Sequence, residues 1–76
     1  MLRIVRKQTM RRDANLCRIE MVDANRANII ALAGWCSTNS VMYNHLNDTS
    51  HLAGIVIICT LEQLSFIMLK FGAGND

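Results

Sequence analysis

Proline is absent from these 76 residues, glycine occurs four times, and the aromatics come to two Phe, one Tyr and one Trp. The first two shortages leave little room for linker-like or low-complexity disorder. The third matters for nucleic acid, because no aromatic precedes Trp35 and the basic N-terminal part has no base-stacking platform. Cysteine is sparse and odd in number: Cys17, Cys36 and Cys59 show no Cys-x-x-Cys spacing and sit among apolar neighbours. They read as buried free thiols in a reducing compartment. No glycine-rich phosphate loop is present, since Gly34 and Gly54 are isolated and Gly72 and Gly74 follow a predicted helix instead of opening one. Net charge is only +2, too small to name a partner from the total.

Apolar surface is what the chain has in excess. Its hydrophobic fraction is 51% and its mean hydropathy +0.20, whereas a chain this short buries only about 60% of the surface its unfolded form exposes. Such a protein has to cover its apolar faces with another copy of itself, a partner or a membrane. Self-association is the expectation.

Residues 54–72, GIVIICTLEQLSFIMLKFG, organise the rest. Gly54 to Cys59 is an apolar, β-branched run of strand length. Thr60 and Gln63 then have the spacing of a capping box, and Leu64, Ile67, Met68 and Phe71 recur at helical spacing before Gly72. Read instead as a membrane span, residues 52–71 hold eleven Leu, Ile, Val or Phe, worth roughly 3–7 kcal/mol of insertion, against about 3 kcal/mol for Glu62 alone. The cap signals favour strand then helix, so a membrane anchor is the third choice.

Upstream, residues 2–7 place Leu2 and Ile4 on one face and Arg3, Val5 and Lys7 on the other, and residues 16–22 alternate with Cys17, Ile19 and Met21 inward. The two form a hairpin joined through Gln8–Asp13. Asp23 is the expected N-cap of a helix over Ala24–Cys36, which Gly34 would end early. That helix is apolar all round between Ile29 and Cys36, so a second of its sides is expected against a neighbouring subunit. Val41–Leu46 is a short strand, Asn47–Ser50 a turn, and residues 73–76 a frayed tail. The fold class is therefore α+β: a single small domain over 1–76, order ββαββα, with a mixed sheet and two helices on one face. A β-grasp-like plan, with residues 66–71 as a strand, is the alternative.

Chemistry-bearing constellations are few. His45 and His51 flank the predicted turn without metal-ligand spacing, and neither the thiols nor the carboxylates are arranged for catalysis. No enzyme activity, metal or cofactor is expected. Seven of the eight basic residues fall within the first 26, alongside three acids, a local net charge of +4. Arg3, Arg6, Lys7, Arg11 and Arg12 are the candidate contacts to an acidic partner, with Trp35 and Tyr43 as aromatic anchors. The expected function is a cytoplasmic, non-enzymatic interaction or regulatory protein that forms homo-oligomers and binds a protein partner. The alternative is a nucleic-acid-binding regulator using the basic hairpin, residues 3–12.

Overall fold

In the computed structural model, which describes residues 2–46, 52–72 and 74–75, the strand–helix stretch takes the form its residues dictate. A strand at Ala53–Thr60 buries Ile55, Ile57 and Cys59 on one face and leaves Val56 and Ile58 half-buried on the other. The helix Leu61–Phe71 follows without a break. Its capping box is complete: Gln63 N–H donates to Thr60 Oγ1 at 3.1 Å and Thr60 N–H to Gln63 Oε1 at 2.9 Å. Gly72 ends it at φ 67°, a left-handed conformation that glycine adopts without steric cost. Residues 66–71 lie within this helix, whose Leu64 and Ile67 are buried, so the β-grasp-like plan is overturned.

In chain order the elements are β1 (Arg3–Thr9), β2 (Leu16–Asp23), α1 (Arg26–Thr38), β3 (Met42–Leu46), β4 (Ala53–Thr60), α2 (Leu61–Phe71) and β5 (Gly74–Asn75). The sheet order is β3-β4-β2-β1-β5, antiparallel except for the two-residue pairing of β5 with β1. The fold is thus a small single α+β domain of order ββαββα closed by this short strand. α1 crosses from β2 to β3 over β4, while α2 leaves β4 towards the β1 side. Both cover the face that carries Leu2, Ile4, Ile19, Met21, Ile55 and Ile57, and the core lies between. Of the expected frayed tail, Gly74 and Asn75 pair with Arg3 and Ile4, and residues 73 and 76 lie outside the described residues.

Four local expectations are corrected. Asp23 does not cap α1; it is the last residue of β2, paired with Ala53, and the cap is Asn25, whose side chain accepts from Ala27 N–H at 3.0 Å. The ladder with β4 carries β2 further than side-chain alternation alone reveals. Gly34 does not end α1, because the buried stripe Ile29, Leu32, Ala33 and Cys36 holds the helix together past it to Thr38. A bulge between Ile4 and Arg6 shifts the register of β1, so Arg6 lies opposite Glu20 and Lys7 opposite Ile19. Arg3 and Lys7 therefore stand on opposite faces, not the same one. Gln8 and Thr9 belong to β1, not to the connection.

The membrane-span alternative loses its segment, which is divided between β4 and α2. The 11 residues of α2 rise about 16 Å, half of a bilayer core of about 30 Å. No helix among the described residues is long and apolar enough to cross a membrane. The predicted turn at residues 47–50 and His51 lie outside the described residues.

Candidate interaction surfaces

Helical geometry decides which side of α1 is covered. Ile29, Leu32, Ala33 and Cys36 pack on the sheet, which turns Ala27, Ile30, Ala31 and Gly34 outward, all exposed. Ile30 keeps 60% of its surface, and between Ala27 and Thr38 the helix has no charged residue. α2 adds Phe66 and Leu69, the latter 86% exposed. The helix layer thus presents apolar side chains on both elements, beside the exposed Glu62 and Lys70 of α2.

The opposite face of the sheet is bare of helices among the described residues. Pairing register places Arg3, Arg6, Arg18 and Glu20 on its β1–β2 half and Met42, Val56 and Ile58 on its β3–β4 half. Arg18 Nη1 lies 2.7 Å from Glu20 Oε2, and Arg6 Nη1 lies 3.9 Å from the same oxygen. Glu20 therefore neutralises part of the basic field. A shallow cavity of about 190 Å³ opens on this face, lined by Arg18, Met42, Tyr43, Asn44, Val56 and Ile58.

The residues singled out in the sequence do not converge. Arg3 and Arg6 belong to the bare face, Lys7 to the helix-covered one, and Arg11 and Arg12 are exposed in the hairpin connection. Trp35 is half-buried and stacks on Phe66, with ring centroids 5.5 Å apart and planes at 20°. It therefore serves packing between the helices. Tyr43 stands on β3, its ring edge-on to His45 at 6.0 Å. Sequence reasoning passed over Ile30, Met42, Phe66 and Leu69 as surface residues; the uncharged run of α1 was the available signal for the first.

The thiols are enclosed. Cys17, Cys36 and Cys59 are free and buried, Cys17 and Cys59 lying opposite one another on β2 and β4. Burial pushes the Cys36 and Cys59 thiols up to about 11, which keeps them protonated and weakly nucleophilic at neutral pH. Among the described residues no group of three or more His, Cys, Asp or Glu is placed to hold a metal ion. No protein-family model matches the chain, and neither the curated proteins nor the solved structures give a match.

Proposed function

We propose that this chain is a small non-enzymatic interaction protein of regulatory type that self-associates through its helix layer and binds a protein partner. The observation that carries the reading is the uncharged outer stripe of α1, Ala27, Ile30, Ala31 and Gly34, left in solvent, with Phe66 and Leu69 exposed on α2 as well. The expected partner contact is the exposed Arg11 and Arg12 of the hairpin connection, which suits an acidic surface. Sedimentation velocity at micromolar concentration tests the first part: the wild type sediments as an oligomer, and Ile30→Glu weakens assembly at least tenfold, about 1.4 kcal/mol. A wild-type monomer would remove the reading.

A second reading, nucleic-acid binding, draws on the bulge at Val5, which gathers Arg3 and Arg6 on the same face as Arg18. It requires binding that weakens steeply with salt and is reduced by Arg6→Ala and Arg11→Ala. The ion pairs of Glu20 with Arg6 and Arg18 and the lack of aromatics on that half of the sheet place it second.

A further inference from the structure

The two edges of the sheet are built differently. β1 carries Arg3, Arg6 and Lys7, breaks its ladder with a bulge and is paired by β5 at Arg3 and Ile4. Charge, bulges and cover are the usual means of keeping an edge from pairing with another chain. β3, at the other end of the sheet, shows none of them among the described residues. Its sequence MYNHL contains no Lys, Arg, Asp, Glu or Pro, and its register on β4 runs unbroken from Met42↔Ile58 to Leu46↔Gly54. Met42, Tyr43, Asn44 and His45 are all exposed.

We infer that β3 pairs antiparallel with β3 of a second copy, about a two-fold axis through Asn44, and that the two α1 helices meet beside it. This rests on the self-association reading and specifies its geometry. Register argues for a second copy as the occupant. With Asn44 opposite Asn44, Met42 opposes Leu46 and Tyr43 opposes His45, so apolar meets apolar, ring meets ring and amide meets amide. No like charges face each other, which in cross-strand pairs is destabilising. Opposed residues share a face, so both helix layers fall on the same side of one continuous sheet.

α1 is the helix on that side, because it crosses to β3 while α2 leads away. Ile30 lies five positions from Trp35, about 140° round the helix. Trp35 faces α2 through its stack on Phe66, so Ile30 faces the other way, towards the free edge of β3. With strands about 4.8 Å apart, a helix centred over β4 stands about 14 Å from its symmetry mate, and its end over β3 comes to about 10 Å or less. Packed helices approach to about 8–10 Å when the contact residues are small, and Ala27, Ala31 and Gly34 are. Beyond the adjoining residues and the backbone of α1 itself, no atom of the described residues lies within 4 Å of where a Cβ on Gly34 would stand. Packing within the chain thus does not require the glycine, which costs a helix about 1 kcal/mol relative to alanine. A five-residue strand edge by itself falls short of the roughly 1,000 Å² of a stable interface, so the strand and helix contacts are needed together.

Cross-linking and sedimentation test this on the full chain. The native thiols are buried, so Asn44→Cys supplies an accessible one, with Cβ atoms about 4.5–5.5 Å apart across the axis. Mild oxidation or a short bis-maleimide links Asn44→Cys chains into covalent dimers, and Gln8→Cys on the opposite edge stays unlinked. Asn44→Lys, which sets two cations face to face on an exposed strand, raises the dimer dissociation constant at least tenfold while the circular dichroism of the monomer is unchanged. A wild-type monomer overturns both this inference and the self-association reading. A wild-type dimer that is indifferent to Asn44→Lys and not linked through Asn44→Cys overturns the β3 geometry alone.

Discussion

Asn28 Nδ2 donates to Asp23 Oδ2 at 2.7 Å, tying the last residue of β2 to the first turn of α1. Asn25 N–H donates to the other carboxylate oxygen at 2.8 Å. A buried acid (2% exposed) therefore organises the strand-to-helix corner from outside the helix.

Burial pushes the Asp23 carboxyl up, but the interactions that favour the charged form, the hydrogen bonds from Asn25 and Asn28 among them, together hold the group below its ordinary 3.8. Its folded value being depressed, the stabilisation is fully present above the unfolded value and is lost as pH falls through the folded one. Asp23→Ala is expected to cost about 2 kcal/mol at neutral pH. In urea titrations the gap between wild type and variant should narrow below about pH 4. A gap independent of pH would show that the charge is immaterial.

Trp35 is the single tryptophan, so its emission reports on the stack with Phe66. Phe66→Ala is expected to move the emission maximum to longer wavelength and to destabilise the fold by about 1–2 kcal/mol, ring pairing contributing about 0.5–1.5 of that. Leu69→Ala, at a more exposed position, should leave the spectrum in place. Fluorescence and thermal unfolding on the same samples check both.

Ser40, between α1 and β3, has φ 57°, the left-handed region that L side chains seldom occupy. Ser40→Gly relieves this at some entropic cost, for a net gain of about 0–1 kcal/mol, whereas the β-branched Ser40→Val should lose about 1–2 kcal/mol. Opposite signs in a thermal melt are the expected outcome.

The thiols of Cys36 and Cys59, pushed up to about 11 by burial, should react with an aromatic disulfide reagent only as the fold opens. Their folded values lie above the ordinary 9.0, so the associated stability is complete below pH 9 and declines as pH rises towards 11. Labelling kinetics with and without urea, and melts from pH 8 to pH 11, check the two halves. Rapid labelling of all three cysteines in buffer would contradict the packing.

Where local chemistry is self-contained, the sequence was readable. Thr60, Gln63 and Gly72 act on their own backbone neighbours, so the start and stop of α2 could be placed without its surroundings. Alternation at Cys17, Ile19 and Met21 likewise showed which side faces inward. Asp23 was misassigned because cap preference cannot tell a helix-capping acid from one that ends a paired strand; Ala53 across the ladder made that choice. The bulge at Val5 was hidden for a similar reason, since a one-residue slip exists only relative to a partner strand.

From sequence alone came the element order, the inward faces and the surplus of apolar surface, all consequences of periodicity and of one short chain's geometry. The tertiary structure decided where that surplus ends up. Ile29 and Ile30 are adjacent and chemically identical, yet one is 2% and the other 60% exposed, because a rigid helix over a sheet can bury only one side. It also placed β3 at one end of the sheet, a position set by non-local pairing with β4.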